Sequence, residues 1–448
     1  MKTPYLFYIG LLMAVLTSCS KNDYRSALPA NATALMSVDV SQTSGVGSNM
    51  LLKTLLMVSG ADDGGIDVTK KLYLFETADG YLGLCAALRD ADHLEETISA
   101  LAAKGKCSPV DMNGDAFVGV LNQTWTLAFN DDALLLVGPV PMAEHKQMQG
   151  RLVRYLSQDG ERSGSASPMF QRLAAIDAPI ALVAQVQALP EQLATPFMLG
   201  APREATPSQV LLSAGMEKKD SCLLMQGETF STNKRIDDAL RQSEKVMRPL
   251  NGRYLKTMDI GTQLALFVNV DGEQFLPLMQ ANQGMQALLA GINAAIDMNN
   301  IIKSVDGEMA VMMPVLSKDK VSLTMAAEVA HSQWLADVGY WKESCPKGGR
   351  IDRWGSDGYY YQNGSDAFYF GVKEKEFFSG TTSATALAAL QPAQHPVATN
   401  VQQYLKDARM GMVMRVGSLA ADEGLLGQML PMMDALLGGV GTIVYKSK

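Results

Sequence analysis

The chain has 448 residues, 47% of them hydrophobic and 19% charged, with 39 Gly and 18 Pro; this composition excludes disordered, collagen-like and coiled-coil classes and is ample for a buried core. Its 38 basic against 46 acidic residues leave a net charge of −8, and no Lys/Arg block exceeds two in a row, so nucleic acid is excluded as a partner. Four His and five Cys with no CxxC or HExxH spacing give no support to a structural zinc site or a zinc hydrolase, and nothing calls for a cofactor or a metal.

At the amino terminus, Lys2 precedes an apolar run from Tyr5 to Leu16, followed by Leu16-Thr17-Ser18-Cys19. The run is shorter than the ~20 residues a spanning helix needs, so residues 1–18 read as an export signal. Small residues directly before a cysteine form a lipobox, at which Cys19 becomes the first residue and carries a diacylglycerol thioether and fatty acyl chains. Ser20, where an Asp would favour inner-membrane retention, points to the outer membrane, on its periplasmic or its outer side. Residues 19–28 read as a short polar tether.

The lipobox, the tether and then Leu28-Pro29-Ala30-Asn31-Ala32 leading into Leu35-Met36-Ser37-Val38-Asp39-Val40 resemble the opening of the Bacteroidetes-type envelope lipoproteins grouped as a domain of unknown function. That resemblance implies an envelope location over the mature chain and no known reaction, and it carries over no catalytic residue.

Four apolar runs read as strands leading into helices: Thr33–Val40, Ile180–Val186, Gln263–Val270 and Met410–Val416. The first and third start 230 residues apart, and so do the second and fourth, as in a unit copied twice. Tyr81–Leu101 reads as a strand and then a helix, as does Val321–Trp341, and Trp125–Val137 parallels Phe368–Phe378 as strand, charged turn and strand. The polar run Gln158–Ser167 is an insertion in the first copy, and Val210–Ser213 matches Thr442–Tyr445. Only the first copy continues, into a strand over Ser221–Gly227 and a helix over Asn233–Met247. The repeats are placed at 29–256 and 257–448, joined near Pro249–Thr257. Gly424–Tyr445 is apolar but broken by Gln428, Pro431 and Asp434, and reads as buried core.

Short turn signals (Ala78-Asp79-Gly80, Asn130-Asp131-Asp132, Ser317-Lys318-Asp319, Asn363-Gly364, Lys373-Glu374-Lys375) favour antiparallel hairpins over crossovers. Helices are expected over Ala91–Ala102, Met285–Ile296 and Val397–Asp407. The fold class is α+β: two tandem diverged repeats, each a mainly antiparallel sheet with helices packed on one face.

Catalytic motifs are scarce. No Ser follows Gly at the spacing of a nucleophile elbow. His93, His145, His331 and His395 read as solvated, and Asp111-Met112-Asn113-Gly114-Asp115 and Asp62-Asp63-Gly64-Gly65 read as turns in preference to calcium loops. Cys85, Cys107, Cys222 and Cys345 read as thiols, with a Cys85–Cys107 bridge the alternative. One feature stands above background. Trp354, Tyr359, Tyr360, Tyr361, Phe368, Tyr369, Phe370, Phe377 and Phe378 crowd into 25 positions, and an outward row, with Trp354, Tyr359, Tyr360, Tyr361 and Tyr369 as candidates, would stack on sugar rings or on a partner's apolar face. The preferred function is a non-enzymatic, lipid-anchored envelope protein that binds an envelope protein or a glycan. The alternative is an envelope hydrolase, acting on glycans, whose carboxylates assemble only in space.

Overall fold

In a computed structural model of the protein, the residues described are 23–42, 64–189, 191–283, 286, 296–316, 321–364, 366–419 and 439–447. The export signal, Cys19, Asp62-Asp63, the Ser317–Asp319 turn, most of the Met285–Ile296 helix and the Gln428–Asp434 interruption lie outside them. The architecture is mixed α+β, dominated by antiparallel sheet, and its contacts group the chain into two compact units: residues 1–32 with 52–171, and residues 33–51 with 172–448. Among the described residues no helix is long and apolar enough to cross a membrane.

In the first unit the strands run in the order Leu72–Glu76, Leu82–Ala87, Ala133–Gly138, Trp125–Phe129, Ala116–Leu121 and Asp111–Asn113, every neighbour antiparallel. Leu82–Ala87 and Ala133–Gly138 are buried at every position, which is why they read as unbroken apolar runs without the alternation of a half-solvated strand. The helix Ala91–Ala103 starts where the Asp90 side chain accepts from the His93 N–H, and it buries Leu94, Ile98 and Leu101, one stripe at helical spacing. A second helix, His145–Leu156, buries His145, Met148, Leu152 and Leu156 in the same way. Each fully buried leucine of this kind contributes about 1.5–3 kcal/mol.

Two expectations fail in this unit. The stretch read as a tether is folded from Asp23 onward: Tyr24–Ala27 form one 3-10 turn, the Tyr24 hydroxyl donates to Lys71 O at 2.8 Å, and Leu28 is fully buried. Gln158 clamps that turn from its other side, its Nε2 donating to Ser26 O at 2.6 Å and Leu28 O at 2.8 Å. Polar residues between Tyr24, Ala27 and Leu28 disguise an inward face one turn long. His145 is not solvated either. Its ring is buried, Nδ1 lying 2.9 Å from Thr126 Oγ1 and Nε2 3.0 Å from Gln123 O, so each ring nitrogen meets a partner. Asp111–Asp115 does form a tight turn, with Gly114 at φ 65° between the paired strands Asp111–Asn113 and Ala116–Leu121.

In the second unit the strands follow the order Ala34–Val38, Ile180–Gln185, Leu211–Lys219, Cys222–Phe230, Thr442–Ser447, Met410–Arg415, Leu264–Asp271, Val305–Leu316, Val321–Val329, Glu376–Gly380, Asp366–Lys373, Gly358–Asn363 and Gly349–Trp354. Every pair is antiparallel except Cys222–Phe230 with Thr442–Ser447, which is parallel. Cys222–Phe230, fourth of these thirteen strands, sits between Leu211–Lys219 from the first half of the chain and Thr442–Ser447 from the second.

The segment near Pro249–Thr257 is tied down along its length. Leu250 exchanges backbone hydrogen bonds with Asp407 and Ala408, and Asn269 Nδ2 donates to Pro249 O at 2.7 Å. Most of the hold comes from Glu308. Its carboxylate, 3% exposed, accepts the backbone N–H groups of Asn251, Gly252 and Arg253, the last two at 2.6 Å, while its own N–H donates to Glu328 at 2.9 Å. Arg253 then spans Glu328 at 3.2 Å and Glu376 at 2.8 Å, and the Tyr254 hydroxyl donates to Glu376 at 3.0 Å. Because Glu308→Ala would take the shared acceptor from three part-buried backbone donors, it is expected to lower unfolding free energy by about 1–3 kcal/mol. Glu308→Gln should cost less, since one acceptor oxygen survives, and the exposed Glu343→Ala should change it by about 0.5 kcal/mol at most. Urea denaturation of the three variants measures this.

Candidate functional site

The aromatic cluster folds as an antiparallel meander over Gly349–Trp354, Gly358–Asn363, Asp366–Lys373 and Glu376–Gly380, joined to Val321–Val329 through its last strand. Its turns are built for tight reversal. Gly355 and Gly364 take positive φ, and in the last hairpin Glu374 and Lys375 sit at φ 50° and 67°, the two-residue geometry that matches strand twist. Glu374 and Lys375 adopt the left-handed region without being glycine, so the charged turn was visible in the sequence but its type was not.

Strand alternation divides the five candidates between two faces. Tyr359 and Tyr361 pair with Phe370 and Phe368 and share their face, which is the inward one: Phe370 is fully buried against Trp341, and Trp334 meets Phe377 edge-on while donating to Ser304 Oγ at 3.2 Å. Tyr359 lies under the Lys342 ammonium, 5.8 Å from its ring centre. The opposite face carries Trp354, Tyr360 and Tyr369, and these three touch in sequence. Tyr360 stacks on Tyr369 at 5.6 Å and 23°, Tyr369 meets Trp354 edge-on at 5.1 Å, and Trp354 reaches Phe378 at 6.3 Å. The row thus starts at solvent and ends in the core cluster that holds Phe378, Val413 and Val444. Each such ring pair adds about 0.5–1.5 kcal/mol beyond its buried area.

Glycines make this face possible. Gly358 and Gly371 are cross-strand partners on the same side as the row, where rings and backbone both approach closely: a Cβ on Gly371 would run into Asp357 O and meet Phe378 Cζ at 2.6 Å, and one on Gly358 would meet Phe370 O at 3.0 Å and Trp354 Cε3 at 3.1 Å. The rim is charged. The Arg350 guanidinium lies 5.8 Å from the Tyr360 ring centre, and the Tyr360 hydroxyl donates to Asp352 at 3.3 Å. Arg350, Asp352 and Arg353 are exposed along Gly349–Trp354, which pairs on one side only among the described residues. These exposed charged contacts contribute little stability, and they frame the row with charge.

Carboxylates also converge at Glu308, Glu328 and Glu376, but Arg253, Tyr254 and backbone amides occupy them, so the cluster is a structural tie. Among the described residues no group of His, Cys, Asp and Glu is arranged to hold a metal ion. The four described cysteines are free thiols. Burial pushes the Cys85 thiol far up, helped by the Asp23 charge, and pushes that of Cys107 up to about 11, so neither is a ready nucleophile at neutral pH.

Residues 24–417 match the profile of a domain of unknown function, DUF4836. The chain belongs to this family. No curated protein matches the DUF4836 chain. Two solved structures, crystal forms III and IV of TP0453, align with 83% and 82% of it and with 98% and 96% of their own chains, at 8% and 7% identity. Their TM-scores are 0.25 and 0.26, too low to define a shared fold.

For the site itself, Gly371→Ala should lower stability by about 1–3 kcal/mol, because the added Cβ runs into the Asp357 carbonyl oxygen and the Phe378 ring and shifts both, Trp354 with them. Chemical denaturation followed by tryptophan emission checks this, with the emission of the folded state expected to shift as Trp354 gains water.

Proposed function

We propose that this DUF4836 protein is a lipid-anchored docking module of a bacterial cell envelope, bound to the outer membrane through acyl chains on Cys19, and that it performs no chemistry of its own. The single observation that carries the docking part is the row Tyr360, Tyr369 and Trp354. Three half-exposed rings in mutual contact are framed by arginine and aspartate beside a strand with one unpaired side, and Tyr, Trp and Arg are the residues that dominate protein–protein hot spots. An envelope protein is the partner proposed; a glycan stacking on the same rings is the other reading.

The anchor rests on the lipobox, and the fold adds a constraint. Asp23 caps the turn Tyr24–Ala27, so four residue steps would hold that turn within about 14 Å of an acylated Cys19, a short leash.

We also propose that the chain is a tandem duplication, with repeats at 29–256 and 257–448. Strand pairings recur in the same order in support of this. Ala34–Val38 with Ile180–Gln185 corresponds to Leu264–Asp271 with Met410–Arg415. Leu82–Ala87 with Ala133–Gly138 corresponds to Val321–Val329 with Glu376–Gly380, and the hairpins Ala116–Leu121/Trp125–Phe129 and Gly358–Asn363/Asp366–Lys373 occupy the same place in each. In the first copy Phe117 stacks on Phe129, while the second fills the equivalent meander with tyrosines and tryptophan, so the aromatic row belongs to one copy alone.

A photo-crosslinking residue at Tyr360 should give a discrete protein adduct in intact cells, and one at the exposed Met142 should not; Tyr369→Ala should abolish the adduct. Sedimentation with isolated cell-wall glycan that depends on Tyr360 and Tyr369, with no protein adduct, would turn the reading to a glycan. Independently, Cys19→Ala is expected to move the protein from the membrane fraction to the soluble fraction and to remove the acyl mass. An unchanged distribution and mass would sink the anchor.

A further inference from the structure

Gly349–Trp354 is the last strand in the order of the second unit, and no described strand occupies its outer side. The Gly349 N–H turns back to Pro346 O at 2.8 Å, and across the meander the Val372 N–H donates to Asp357 O at 3.3 Å. Carried through the alternation of antiparallel ladders, both contacts point the N–H and C=O groups of Ile351 and Arg353 outward, toward the place a further strand would take.

Charged side chains on such an edge ordinarily keep other chains away, and their order along the strand decides which chain can approach. Arg350 and Asp352 lie on the face of the aromatic row, while Ile351 is buried on the other. Arg350 Nε is 3.7 Å from Asp352 Oδ2, and the two side chains are 63% and 53% exposed, so each is loosely held and open to a second partner. The helix Val338–Glu343 packs against the same strand and carries Tyr340, a ring 71% exposed beside this edge.

A second copy laid antiparallel with Ile351 opposite Ile351 brings Arg350 of each copy against Asp352 of the other. Arg353 then faces Gly349, which has no side chain to oppose it. Opposite charges meet twice and like charges nowhere. Centring the pair on Arg350, Asp352 or Arg353 sets that charged residue against itself, and a parallel in-register pair does so for all three. One register therefore satisfies the outward backbone groups and the charges together. We propose that Gly349–Trp354 is a self-association edge, through which two copies of this chain pair antiparallel about a twofold axis at Ile351, with both aromatic rows on one continuous face. The pairing uses the edge of the strand and not the face of the row, so it goes beyond the docking role and does not rest on it.

About five residue pairs make a small contact of the transient kind, with a dissociation constant on the order of 10 μM. Sedimentation equilibrium of the full chain, in excess detergent matched in density to the solvent, reads it directly. Arg350→Asp would line the seam with carboxylates alone and Asp352→Arg with guanidiniums alone, and each variant by itself should dimerise about tenfold more weakly or worse. Mixed in equal amounts, the two variants set carboxylates on one copy against guanidiniums on the other. Their mixture should dimerise within about threefold of the unaltered chain, a recovery that damage to the fold cannot give. Tyr369→Ala, which removes the docking adduct, should leave the dimer unchanged, so the two readings fail separately. The proposal is overturned if the unaltered chain stays monomeric up to about 100 μM, if the single variants dimerise as it does, if their mixture stays monomeric, or if Tyr369→Ala dissociates the pair.

Discussion

The buried carboxylate of Glu308 is the constraint on which the second unit depends. Three consecutive backbone N–H groups, from Asn251 to Arg253, point at one side chain that is almost wholly removed from water. A buried charge is tolerated only when hydrogen bonds replace its hydration, and a backbone turn cannot leave three amides unpaired. Each therefore requires the other. Through Arg253, Glu328 and Glu376 the tie extends to the strands that carry the aromatic meander, so the connection between the two halves of the chain is part of the core and not a loose linker.

A second theme is the absence of side chains where rings come close to backbone. Gly371 under Phe378 and Gly358 beside Trp354 let the aromatic row press onto backbone, and Gly83 does the same for Phe75 in the first unit. Such positions weaken a strand taken alone and are repaid by ring contact, which explains glycine in the interior of strands rich in aromatic residues. The result is a half-exposed aromatic surface with charged residues at its rim.

Much of the order of elements was legible in the sequence. Runs such as Ile180–Val186 and Met410–Val416 became strands at nearly the same bounds, Ala91–Ala102 became a helix one residue longer, and the charged turn at Lys373–Lys375 is a hairpin. What escaped was local chemistry dictated by distant residues. His145 is buried because Thr126 and the Gln123 carbonyl wait for it, some twenty residues upstream, and no pattern near His145 signals them. Tyr24, Ala27 and Leu28 looked like a polar spacer because one 3-10 turn is too short to show a period. Aromatic crowding near Trp354–Phe378 was visible in the sequence, and period-two alternation foretold that its residues would split between faces, but not that Trp354, Tyr360 and Tyr369 would be the three that meet.

By itself the sequence determined the α+β class and the positions of most strands, because each of these is written in neighbouring residues: hydrophobic period and turn dipeptides. Tertiary structure alone decided which strands are neighbours, above all the parallel pairing of Cys222–Phe230 with Thr442–Ser447. The physical reason is that strand pairing satisfies backbone groups that are the same for every residue, so the choice of partner rests on side-chain packing between segments more than 200 residues apart, which no local pattern records.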